Sequence, residues 1–128
     1  MKINIKATGI ELTRAISDYA YKKVASIEKY LDRKSDPDVI AQVEVGKNTR
    51  HHKTGNVFRA EVHVTGVSLD LYAVSETEDL YAAIDMVRDE IVHNAVQLKG
   101  KRETLARRGA KMMKNIVKGI TDRFQKRF

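Results

Sequence analysis

Three runs of apolar–polar alternation follow one another with no helical pattern between them, and this most limits the folds open to the chain. Residues 39–46 put Val39, Ala41, Val43 and Val45 on one side. Residues 57–65 do the same with Phe58, Ala60, Val62 and Val64, and residues 68–74 with Leu69, Leu71 and Ala73. A period of two marks a half-buried strand, apolar on one face and wet on the other. Gly66-Val67 supplies a tight bend between the last two runs, so consecutive strands are expected to pair antiparallel. The link between the first two is longer, polar and basic. A fourth strand opens the chain, with Ile3, Ile5 and Ala7 facing away from Lys2, Asn4 and Lys6.

Helical periodicity flanks this block. Thr13 is a good N-cap for a helix over about residues 14–31, whose apolar arc is Ile16, Ala20, Val24, Ile27 and Leu31. Tyr19 and Tyr30 flank that arc and, with Phe58, are expected in the core. Ser35-Asp36-Pro37-Asp38 closes the unit, because proline cannot continue a helix. Ser75 and Glu78 have the spacing of a capping box for a second helix carrying Leu80, Ile84, Val87, Ile91, Ala95 and Leu98. Gly100 is expected to interrupt it. The order is β-α-β-β-β-α. Two amphipathic helices need one apolar surface, so both are expected on the same face of a four-stranded sheet, an α+β architecture.

The charge is unevenly spread. The 128 residues carry a net +7, yet residues 1–98 hold 13 Lys and Arg against 15 Asp and Glu, and residues 99–128 hold 11 against 2. A near-neutral body over 1–100 is thus followed by a basic arm over 101–128. In the arm, Leu105, Met112, Met113, Ile116, Val117, Ile120 and Phe124 share one arc, opposite Arg107, Lys111, Lys114 and Lys118. Gly109 and Gly119 each weaken that helix by about 1 kcal/mol, so a marginal amphipathic helix that orders when bound is expected. The asymmetry points to a polyanionic partner, nucleic acid first and an anionic membrane surface second.

Several function classes drop out. With no cysteine there is no disulfide framework, thiolate metal site or cysteine nucleophile. No apolar run reaches the roughly 18 residues of a membrane span, and MKINIKATGIEL is not a signal peptide. A soluble cytoplasmic protein is expected, with a membrane not favoured as partner. Adjacent His51-His52 lack the spacing that aims two imidazoles at one metal, and His63 and His93 fall on polar sides. Asp85 and Asp89 read as a solvated helix face. No set of residues supports catalysis, so no enzyme, small-molecule substrate, cofactor or metal is expected.

Cations on helices remain. Lys22, Lys29 and Arg33 form an i, i+7, i+11 stripe with Lys23 beside it; Arg88 and Lys99 share a stripe with Tyr81 and Val92, which Lys101 and Arg102 continue. If both helices lie on one sheet face, these stripes meet across the seam between them, a pattern that suits phosphate backbones. On the wet sheet face only Tyr72 stands among Arg59, Glu61, His63 and Asp70. A single-strand reader would place several aromatics there, so structured RNA, recognised by shape and backbone, fits better.

Asp79-Leu80-Tyr81-Ala82-Ala83-Ile84-Asp85, after Val74-Ser75-Glu76, is similar to the D-M/L-Y-A-A-I-D motif of ribosome hibernation-promoting factors. Ile3-Asn4-Ile5, Ile10-Glu11-Leu12-Thr13 and the segment Ile27-Glu28-Lys29-Tyr30-Leu31-Asp32-Arg33 also resemble that family, and the resemblance covers residues 1 to about 100. It implies a fold like that of double-stranded RNA-binding domains. It also implies a place on the small ribosomal subunit, in the channel of mRNA and the A- and P-site tRNAs, with translation blocked and idle ribosomes kept intact. The partners implied are ribosomal RNA, the small subunit and the whole ribosome. Family basic positions fall on Lys23, Lys99 and Lys101; the family usually has Lys or Arg where this chain has Ser26, Glu90, His93 and Gln97. The ribosomal-RNA contact is therefore expected from Lys22, Lys23, Lys29, Arg33, Arg88, His93, Lys99, Lys101, Arg102, Arg107, Arg108 and Lys111. The arm is too short for the separate dimerisation domain of long members, so a short-type factor is implied. A general double-stranded RNA-binding module is the alternative.

Overall fold

The computed structural model describes residues 1–32, 36–48 and 57–126, and the side chains among them except those of residue 48 and residues 120–126. Strand β1 (Lys2–Thr8) leads into helix α1 (Arg14–Ala25), a 3-10 turn (Glu28–Tyr30), strands β2 (Ile40–Asn48), β3 (Val57–Thr65) and β4 (Asp70–Thr77), and helix α2 (Leu80–Lys126). The chain forms two compact units, Met1–Ala95 and Val96–Phe128.

The first unit is built on a sheet of order β1-β2-β3-β4. β1 runs parallel to β2, which needs the crossover that α1 provides, while β2–β3 and β3–β4 are antiparallel. The period-two pattern sets the register. Ile3, Ala41, Val64 and Leu71 line up across the four strands; so do Ile5, Val43, Val62 and Ala73, and then Ala7, Val45, Ala60 and Ser75. The residues of β2, β3 and β4 in these rows are buried, as are Ala20, Val24 and Ile27 on the α1 side and Leu80, Ala83, Ile84, Val87, Ile91 and Ala95 on α2. Each fully buried Val or Ile contributes about 1.5–3 kcal/mol of transfer free energy, so this face forces both helices onto one side of the sheet. The other face is wet: Arg59 pairs with Glu61 (3.0 Å) and His63 with Asp70 (2.6 Å), and the His63 ring meets Tyr72 edge-on.

Three expectations fail at element ends, and a fourth fails in the core. The first helix stops at Ala25, short of Leu31, because Ser26 Oγ donates back to the Lys23 carbonyl (2.5 Å) and the Ile27 N–H bonds three residues back to Val24 (3.0 Å). The tighter winding keeps Ile27 buried, so the apolar rhythm outlives the α-helix. Ser75 caps nothing: it is the last buried residue of β4, 7% exposed. Asp79 caps α2 instead, its Oδ1 accepting from the Tyr81 N–H at 3.1 Å. Gly100 does not break α2, which runs on to Lys126; the Thr104 hydroxyl even donates to the Gly100 carbonyl one turn back (2.9 Å). A glycine stop needs a left-handed backbone, which among the described residues only Gly9 adopts, and Gly100 costs just about 1 kcal/mol amid good helix formers. Tyr19, Tyr30 and Phe58 are half-buried, not core.

One carboxylate ties the halves of this unit together. Asp36 is 4% exposed and accepts from the Ser68 N–H (2.9 Å) and hydroxyl (2.6 Å), fixing the β3–β4 turn from 32 residues away. Gly66 in that turn has no room for a side chain, since a Cβ would lie 2.7 Å from Asp36 Oδ1.

Candidate functional site

The cations of the first unit gather where α1 and its 3-10 turn run beside α2. Ser26 organises the seam. Its hydroxyl donates to the Lys23 carbonyl and accepts from Arg88 Nε at 2.9 Å. Arg88 Nη1 pairs with Asp89 at 2.9 Å, and its guanidinium lies 5.7 Å from the centre of the Tyr30 ring. Lys29 Nζ lies 5.2 Å from that ring. A ring that attracts both cations offsets part of their mutual repulsion. The carboxylate of Asp89, together with Tyr30, raises the Arg88 pKa above its ordinary value, although burial opposes the rise.

One turn toward the start of both helices lies a second cluster. Tyr19 donates its hydroxyl to Asp85 at 2.6 Å, Lys23 Nζ pairs with Asp85 at 3.3 Å, and Tyr81 packs edge-on against Tyr19 with ring centres 4.9 Å apart. The hydrogen bond to Asp85, with burial and the nearby negative charge, pushes the Tyr19 pKa up to about 12. Asp85 is thus no idle member of a solvated face; it answers the charge of Lys23.

Of the sequence-derived candidates, Lys22, Lys23, Lys29 and Arg88 come from α1, its 3-10 turn and α2, which form this seam, with Lys22 and Lys29 exposed. His93 is exposed, further along α2. Arg33, like His51 and His52, lies outside the described residues. Lys99, Lys101, Arg102, Arg107, Arg108 and Lys111 belong to the second unit and are exposed. Periodicity missed Ser26, Tyr30, Asp85 and Asp89 as parts of the seam. Each acts through a partner on the facing element or beside it, and no local spacing encodes that. Among the described residues no three His, Asp or Glu side chains converge as a metal site, and no helix is long and apolar enough to cross a membrane.

Fold and seam define a class: a small α+β protein with a cluster of basic groups on its helical layer, flanked by aromatic rings and carboxylates. The chain belongs to the Sigma 54 modulation protein / S30EA ribosomal protein family, whose model it matches over residues 3–103. It is 31% identical to the ribosome hibernation promoting factor of Azotobacter vinelandii over 102 residues, 80% of this chain and 86% of that one. It is also 31% identical to the protein of the same description from Escherichia coli K12 over 101 residues, 79% of this chain and 96% of that one. Among solved structures, the N-terminal domain of Thermus thermophilus Protein Y superposes with a TM-score of 0.63 at 28% identity, covering 77% of this chain and 99% of that one. A ribosomal subunit interface protein from Coxiella burnetii has the same fold, with a TM-score of 0.62 at 15% identity, covering 78% of this chain and 99% of that one.

Proposed function

We propose that this chain is a ribosome hibernation factor that binds the small ribosomal subunit in the mRNA and tRNA channel, at the A and P sites, through ribosomal RNA. It blocks translation by occupancy and preserves idle ribosomes. The gathering of Lys29 and Arg88 on the Tyr30 ring, with Lys22 and Lys23 about two turns earlier, carries this reading. The relatives named hibernation promoting factors supply the ribosome as partner. No chemistry is required, since a rigid body excludes mRNA and tRNA by filling their space. The four cations, each neutralising one phosphate, add about 3 to the log–log dependence of affinity on salt. Lys99, Lys101, Arg102, Arg107, Arg108 and Lys111 add electrostatic attraction from the second unit, and His93 adds a polar contact. The site of action is the cytoplasm.

Reversing Lys22 and Lys29 together to Glu tests the assignment. Both side chains are exposed, so the melting temperature should hold while co-sedimentation with small subunits is lost. Lys23→Glu is a poorer probe, because it sets a carboxylate beside Asp85. Undiminished co-sedimentation of the double variant would reject the seam as the contact. Equal affinity for free duplex RNA would favour a general double-stranded RNA-binding module.

A further inference from the structure

The helix of the second unit has two faces, and a phosphate backbone would engage only the basic one. At 100° per residue, Met112, Leu105, Ile116 and Met113 span an arc of about 100°, while Arg108, Lys111, Lys118, Arg107 and Lys114 fill about 120° on the other side. The four apolar side chains are between 54% and 65% exposed. Residues 99–118 hold eight Lys and Arg against the single acid Glu103. Phosphate backbones satisfy the cations and leave the apolar arc in water.

We propose that residues 103–118 dock on an anionic phospholipid surface, the apolar arc entering the headgroup–acyl boundary and the flanking cations meeting lipid phosphates. A second copy of the chain does not suit this helix. Leu98, Leu105 and Met112 are spaced by seven, but that register puts Lys101, Arg108 and Asn115 on the other seam position of a coiled coil. Two copies would also bring like charge against like charge. An anionic bilayer meets both faces at once. Four modest apolar residues give only weak partitioning by themselves, and each Lys or Arg near an anionic surface strengthens it severalfold, so binding depends on both. This docking needs the apolar arc, which the ribosomal reading does not use, while both readings draw on the cations of the second unit.

The full-length chain is floated with phosphatidylglycerol–phosphatidylcholine vesicles and, separately, with pure phosphatidylcholine vesicles. It should rise with the anionic vesicles and stay in the dense fraction with the neutral ones. The triple variant Leu105→Gln, Met112→Gln, Ile116→Gln keeps every charge and should partition about tenfold less or weaker. Its circular dichroism and its co-sedimentation with small subunits should match the parent. A parent chain that does not float overturns the proposal. Flotation unaffected by the triple variant also overturns it, since the chain would then be held by charge alone. A parent that sediments as a dimer without lipid, with the triple variant monomeric, overturns it in favour of a second copy on the apolar arc.

Discussion

Asp85→Asn should weaken the fold and strengthen binding to RNA, two effects of opposite sign from one neutralised charge. In the native chain Asp85 holds both the Tyr19 hydroxyl at 2.6 Å and Lys23 Nζ at 3.3 Å. Hydrogen bonds to charged groups contribute about 1.5–3 kcal/mol and neutral ones about 0.5–1.5, so an amide acceptor costs roughly 1 kcal/mol. The Lys23 pair is 38% and 42% exposed, which limits it to about 0.2–1 kcal/mol. Together these lower stability by about 1–2 kcal/mol, or about 5 °C or more in melting temperature for a unit of this size. Binding runs the other way. A phosphate reaching Lys23 must displace Asp85 and then face its charge, so removing that charge should tighten binding about two- to tenfold. The assay is a titration of small subunits at fixed salt beside a thermal melt. Tyr19→Phe is the control, since it loses the hydrogen bond without releasing Lys23 and should leave affinity unchanged. If Asp85→Asn binds no more tightly than the parent, or more weakly, Lys23 is not a phosphate contact and the seam assignment fails.

Other outcomes follow from single contacts. The Tyr19 pKa is raised to about 12, and a raised pKa gives stability that is whole below pH 10 and lost as pH climbs from 10 to 12. The parent should therefore lose more stability than Tyr19→Phe across that window in denaturant titrations; parallel curves would rule out the Asp85 hydrogen bond as the cause. Gly66→Ala forces a Cβ to 2.7 Å from Asp36 Oδ1 and should cost about 2 kcal/mol or more in urea denaturation; a neutral result would mean that the turn relaxes freely. Ser26→Ala removes the acceptor of Arg88 Nε and should weaken subunit binding severalfold, while Ser26→Thr keeps the hydroxyl and should restore it; equal loss in both would point to packing instead.

Strand positions were legible because a two-residue period allows only one inward face, and the rows from Ile3 to Leu71 and from Ile5 to Ala73 carry that pattern across the sheet. Helix ends were less legible. Ser75 looks like a cap by spacing but belongs to the inward parity of Leu71 and Ala73, and strand burial outweighs a capping signal. Gly100 carries a local stop signal that its good helix-forming neighbours overrule. The cations of the seam were visible as stripes, but their counter-charges were not. Lys23 and Asp85 are 62 residues apart, as are Ser26 and Arg88, and only the packing of α1 beside α2 makes them neighbours.

The contact between Asp36 and Ser68 also bears on how the chain is made. A ribosome delivers residue 36 well before residue 68, so the acceptor is present before its donors emerge. In the folded chain the β3–β4 hairpin rests on a carboxylate carried by an earlier segment, so its bend depends on that group as well as on its own turn residues. The turn is therefore fully bonded only when the stretch leading into β2 is seated beside it.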